Sequence, residues 1–232
     1  MDKNLTDKRI VECWHKNVSP WTRAVRDGEI ASRELLTNQA IIDAVLASKP
    51  TTVLDLGCGE GWLTRALAQR GILAVGVDAV AELIHAARLY KQPNNNSIGT
   101  PPTYQHLSYE QIIAGALSDK FDTVTCNFSL LGKESVEGLF VTFRRLLSRK
   151  GQIVIQTPHP LSNAQPPYQS GWRSGSWAGF SDAFTDPAPW YFRTLKDWRA
   201  LFDQNQLTIT QEISPTLEGE KPSSIIFVAR SS

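Results

Sequence analysis

Apolar residues between positions 31 and 46 recur at the spacing of one helical face: Leu35, Leu36, Ile41, Ile42, Val45 and Leu46. Pro50 closes that run, and the segment 1–50 reads as a helical cap. The period then changes. Residues 52–56 are a short β-branched and apolar run that stops at glycines, which predicts a buried strand. A helix over 62–70 stopped by Gly71, a second buried strand over 73–77 and a helix over 81–90 follow. Residues 93–102 read as a polar loop. The rhythm resumes with a strand at 103–106, a helix at 110–117, a strand at 121–127, a helix at 136–147 and a strand at 152–157. Strands alternating with helices of this length predict a mainly parallel sheet covered on both faces. A helix over 196–204 and strands over 207–213 and 224–230 complete the pattern. The link between those strands holds Pro215, Gly219 and Pro222, so the final pair reads as a hairpin with its last strand antiparallel.

One segment has no period. Residues 158–193 are rich in proline, glycine and serine, yet hold Trp172, Trp177, Phe180, Phe184, Trp190 and Tyr191. Disordered segments are poor in aromatics, so this insert reads as an ordered cover leaving the carboxyl edge of a strand.

Composition narrows the picture. The chain has 232 residues, 41% of them hydrophobic, which suits one α/β domain over 1–232. Lysine plus arginine number 24 against 23 acidic residues, and no basic run exceeds two, so a nucleic-acid partner is not expected. No stretch approaches the roughly 18 apolar residues that span a bilayer, so no membrane partner is expected. The first ten residues lack an apolar signal-peptide core. Cys13, Cys58 and Cys126 lie far apart with no CxxC pair, which reads as free thiols in a reducing cytoplasm and no metal site.

The strongest chemical signal is Asp55-Leu56-Gly57-Cys58-Gly59-Glu60-Gly61, between a strand and a helix. Ligands of parallel α/β sheets bind beyond the carboxyl ends of strands, where such a turn lies. Dinucleotide sites space their glycines GxGxxG, whereas this turn reads GxGxG behind an aspartate. That carboxylate would repel a pyrophosphate and suits a cationic ligand. Asp78 ends the next strand, where an acid accepts hydrogen bonds from ribose hydroxyls; the alternative is a plain helix cap.

These residues, with Gly76-Val77-Asp78, resemble the first two motifs of class I S-adenosylmethionine (SAM)-dependent methyltransferases, and the likeness runs over about 51–157. The resemblance implies a doubly wound, seven-stranded, mainly parallel sheet in order 3-2-1-4-5-7-6, with the last strand antiparallel. It implies SAM as co-substrate, S-adenosylhomocysteine (SAH) as product and a small-molecule acceptor. By position, Asp55 and Gly57 would face the methionine part, Cys58 between the glycines would also contact the co-substrate, and Gly59 and Gly61 would let the nucleoside approach. Asp78 would hold the ribose and Ala79 would lie beside the adenine, with Leu107 and Ser108 near its amine. Asn127 and Phe128 would border the sulfonium, and Arg33 would pair with the methionine carboxylate, the alternative being a solvated helix arginine.

Methyl transfer requires alignment, and a base where the acceptor carries a proton. His159, just after the fifth strand, is the candidate base, with Tyr191 and His15 behind it; the insert reads as a substrate lid. No prolines follow Asn127-Phe128, unlike amide and adenine N-methylating enzymes, and Cys126 is poorly placed for cytosine chemistry. O-, N- or C-methylation of a metabolite stays open, as in the quinone methyltransferases that the layout resembles, by a monomer or homodimer. The alternatives are a nicotinamide-dependent oxidoreductase and a non-catalytic SAM-binding protein.

Overall fold

A computed structural model describes residues 5–90, 100–162 and 167–231. Most of the polar loop expected over 93–102 therefore lies outside the described residues. The chain opens with helices α1 (Asp7–Lys16) and α2 (Val18–Arg26), a single π-helical turn (Arg33–Thr37) and α3 (Asn38–Leu46). The alternating part follows: β1 (Thr52–Leu56), α4 (Trp62–Ala68), β2 (Leu73–Asp78), α5 (Ala81–Leu89), β3 (Thr103–His106), α6 (Tyr109–Ile113), β4 (Phe121–Asn127), α7 (Glu134–Leu146) and β5 (Leu147–Pro158). Two short strands, β6 (Gly171–Arg173) and β7 (Trp190–Phe192), pair within the insert. Helix α8 (Leu195–Gln204) and strands β8 (Leu207–Ile213) and β9 (Ser224–Ser231) end the fold.

The main sheet runs β3-β2-β1-β4-β5-β9-β8. Leaving out the small insert hairpin, this is the expected 3-2-1-4-5-7-6. Pairing is parallel from β3 to β5, and β9 is antiparallel to both its neighbours. The chain winds outward from β1 to β3, then restarts at β4 on the other side of β1. The carboxyl ends of β1 and β4 thus flank the switch point, where a crevice opens.

Both faces of the sheet are covered, which is why its strands read as near-continuous apolar runs. Val53, Leu54 and Leu56 on β1 are fully buried. One face packs on α7 and α8 through aromatic edges, with Phe140 against Phe202 at 4.9 Å and Phe202 against Phe227 at 5.4 Å. The other packs on α3 and α4 through Ile41, Val45, Leu63 and Leu67.

Three boundaries differ from the periodic reading. The helix expected over 31–46 carries the π turn, which places buried Arg33 and Thr37 together on its inner side. Such turns recur at functional sites. Strand β5 starts at Leu147, five residues before the apolar run, with an irregularity in its pairing to β4. Helix α6 stops at Ile113, and Gly115, at φ +99°, follows just beyond.

Candidate functional site

The turn after β1 is fixed by its own backbone. The N–H groups of Gly57 and Cys58 donate to the Val77 carbonyl at 2.8 and 3.0 Å, tying the turn to the end of β2. Asp78 then takes the Gly59 N–H on Oδ2 and the Val80 N–H on Oδ1, each at 2.9 Å. Gly57 sits at φ +73°, and a Cβ there would lie 2.4 Å from the Ser129 Cβ and 2.7 Å from the Tyr109 hydroxyl. Gly61, at φ +86°, begins α4, and the room it leaves is filled by the Tyr104 ring, 2.7 Å from where its Cβ would be. Gly61 therefore serves packing behind the turn and does not line the cavity.

That cavity, about 340 Å³, lies over the carboxyl ends of β1, β2 and β4. Of the residues expected there, Gly57, Cys58, Gly59, Asp78 and Ala79 form its floor, with Arg33, Asn127 and Phe128 on its sides. Asp55 lies behind the floor, only 2% exposed, and accepts a 2.8 Å hydrogen bond from the Thr64 hydroxyl. Burial pushes its carboxyl up to about 7, against the Thr64 bond and with a further push from Asp78. Asp78 is likewise raised by burial, against the two N–H bonds that favour its charged form.

The other expected residues lie off the cavity wall. Leu107 donates its N–H to the Asp78 carbonyl at 3.1 Å and packs against the core. Ser108 caps α6 in a reciprocal box with Gln111. His159 is 5% exposed, its N–H on the Ser223 carbonyl and its Nδ1 accepting from the Leu161 N–H. Burial lowers its pKa. Tyr191 stands edge-on to Trp172 at 5.6 Å and beneath the Arg193 guanidinium at 4.8 Å. His15 is exposed and pairs with Glu82 at 3.0 Å.

Phe180, from the insert expected as a lid, lines the wall, while other wall residues escaped the sequence reading: Trp14 on α1, Trp21 on α2, Trp62 at the start of α4, and Tyr109. Only Trp62 carried a signal, since it directly follows the glycine turn. The Arg33 guanidinium lies 5.5 Å from the Trp21 ring and 4.9 Å from that of Trp62. Its Nε donates to Asn38 Oδ1 at 3.2 Å, but its Nη2 is buried with no hydrogen-bond partner among the described residues. Burial lowers its pKa to about 10, opposed by Glu60 and Glu34. Asn127 Oδ1 is also buried and unpartnered. Arg33 and Asn127, with Thr37, whose hydroxyl is likewise unpartnered, line the same cavity, where burial without a partner is costly.

Helices α1 and α2 roof the cavity, held by segment 177–186 of the insert. Asn17 gives its amide to the Thr185 carbonyl at 2.7 Å and accepts the Thr185 N–H at 2.9 Å. Asp186 takes Arg9 and, at 2.6 Å, Lys16. Trp14 meets Trp177 at 5.7 Å, and Trp177 meets Phe180, the insert's own contribution to the wall. On the other flank Arg26 joins α2 to buried Glu60 at 3.0 Å, which is already paired with Arg65. Among the described residues no group of three His, Cys, Asp or Glu side chains is placed to hold a metal, and no helix is long and apolar enough to cross a membrane.

A family profile described as a methyltransferase domain matches residues 30–212. A ubiquinone biosynthesis O-methyltransferase of Pseudomonas paraeruginosa is 34% identical over 114 residues, 49% of this chain and 46% of that protein. One from Pseudomonas aeruginosa is 32% identical over 105 residues, 45% of this chain and 43% of its own. The matched part is about half the length of these curated relatives. Among solved structures, magnesium protoporphyrin IX methyltransferase from Synechocystis PCC 6803 with bound SAM superposes with a TM-score of 0.57 at 21% identity, over 84% of this chain and 79% of that one. The glycopeptide N-methyltransferase MtfA complexed with SAH gives 0.64 at 13% identity, over 83% and 89%. The profile match over most of the chain, the strand order and the turn between β1 and α4 agree: this chain belongs to the methyltransferase domain family and has the class I SAM-dependent methyltransferase fold.

Proposed function

We propose that the chain transfers a methyl group from SAM to a small-molecule acceptor. The observation that carries this reading is the pair of orphan atoms beside the glycine turn. A buried guanidinium with a free N–H calls for an anionic group, and a buried amide oxygen calls for a donor. The carboxylate and ammonium of an amino acid satisfy both. Asp78 supports the other end of the ligand. Each of its oxygens already accepts one backbone N–H, and a carboxylate has lone pairs for further donors such as two ribose hydroxyls. A dinucleotide fits less well, because its pyrophosphate would face Asp78 and the buried Asp55 across the turn.

When bound, SAM supplies a sulfonium methyl open to in-line displacement. The protein's work is then alignment and exclusion of water. Arg33 and Asn127 fix the amino-acid end, Asp78 fixes the ribose, and Trp14, Trp21 and Phe180 close the roof. Aromatic faces also favour a cationic sulfur. His159 and Tyr191 have no part in this reading, as neither lines the cavity. The Pseudomonas relatives are named for ubiquinone biosynthesis, and the apolar roof supports an acceptor with an apolar body. The buried free cysteines suit a cytoplasmic setting.

Thermal melts with SAH or NADH test the assignment. At SAH a hundredfold above its dissociation constant, stabilisation of about 2.7 kcal/mol is expected, and none from NADH. Stabilisation by NADH alone would overturn the reading.

A further inference from the structure

We propose that the inner face of α1 is the acceptor subsite, and that Asp7 selects a neutral, hydroxyl-bearing acceptor over an acidic one; this rests on the SAM reading above. Asp7, Ile10, Val11 and Trp14 all line the cavity, and their i, i+3, i+4, i+7 spacing puts them on one helical face. Only Ile10 and Cys13 of this helix are buried. The apolar face is therefore spent largely on a cavity wall, which Leu131 and Phe180 also line. An acceptor body with a flat apolar surface fits that slot.

Asp7 closes the stripe at one end, and its carboxylate is held rigidly. Oδ1 accepts the Lys133 N–H at 2.8 Å and Oδ2 the Ser135 N–H at 2.6 Å, both at the start of α7. Gly132 makes the approach possible, since a Cβ there would lie 2.8 Å from the Asp7 carboxyl carbon. An ionised carboxylate only accepts hydrogen bonds, and two N–H donors leave lone pairs unused. The group it can recognise is thus a donor. The positive end of α7 offsets much of the Asp7 charge, which favours a neutral hydroxyl over an ammonium. An acid finds no match. Among the described residues on this wall the one cation is Arg33, committed to the amino-acid end, while Asp7, Asp78 and Glu110 are acidic.

The test uses the full chain saturated with SAH, titrated calorimetrically with para-butylphenol, para-butylbenzylamine and para-butylbenzoate. The phenol is expected to bind at least about tenfold tighter than the benzoate, with the amine between. Asp7→Asn should reduce the phenol preference to about threefold or less. Val11→Lys, at a half-buried position that keeps the Asp7 bonds, should shift it toward the benzoate by about fivefold or more. SAH titrations of each protein read the cofactor assignment separately. If SAH binds and the benzoate matches the phenol, the phenol does not bind, the amine binds tightest, or both variants keep the wild-type preference, the acceptor assignment falls while the SAM reading stands. If SAH itself does not bind, both fall.

Discussion

The floor and the roof of the cavity are built by different physics. The floor is backbone held from close by: the N–H groups of Gly57 and Cys58 on the Val77 carbonyl, those of Gly59 and Val80 on the Asp78 carboxylate, all within two adjacent parallel strands and their turns. The roof is held by side chains reaching between segments far apart in the chain: the Asn17 amide to the Thr185 backbone, Asp186 to Arg9 and Lys16, Trp14 to Trp177. A floor made this way tolerates little change, because each bond fixes the next. A roof made this way accepts substitution, because no single contact defines it. The contrast assigns the invariant ligand to the floor and the variable one to the roof.

The largest break in this contrast comes from Gly57→Val. A β-branched residue at φ +73° meets Ser129 and Tyr109 at once. It should cost about 3 kcal/mol in denaturant unfolding and weaken SAH binding by about a hundredfold. A middle-sized effect separates affinity from stability. Arg33 carries a buried N–H with no partner, so Arg33→Met should lower SAH affinity by roughly tenfold or more while leaving the ligand-free melting temperature level or higher. A melting temperature that falls together with affinity would make Arg33 a packing residue.

The smallest effect sharpens the electrostatics of the floor. The Asp55 carboxyl is raised to about 7 by burial, from its ordinary 3.8. The unfolded chain therefore releases that proton first as pH rises. The stability of the protonated form is full below about pH 4 and is lost as pH rises through about 7. Asp55→Asn has no proton to lose. Melts at about pH 5 and about pH 8 should show wild type losing a few degrees relative to the variant. A constant gap would mean that Asp55 does not titrate in this range.

The floor was legible in the sequence because its demands are local. Gly59 and Asp78 meet needs set within two strands and a turn, so their spacing alone announces them; Gly57 shares the turn's positive φ, but Tyr109 and Ser129, which crowd it, come from later in the chain. Gly61 was legible as a glycine, but the Tyr104 ring that requires it arrives 43 residues later. His159 was placed at the rim by its position after β5, yet Ser223, in the link before β9, covers its backbone. That link reads as a plain turn. The inner face of α1 was invisible for a further reason: an apolar stripe on a helix looks the same whether it meets a core or a cavity. Arg33 was found as a charge, while its stacking between Trp21 and Trp62 needed the π turn, which apolar spacing does not encode.

The Asn17–Thr185 clasp spans 168 positions. During synthesis from the amino end, α1 and α2 emerge long before the segment that fastens them. They wait as a loose amphipathic pair while the strands β1 to β5 emerge behind them. The roof thus cannot be fastened before Thr185 and Asp186 have been made, when α8, β8 and β9 are still to come.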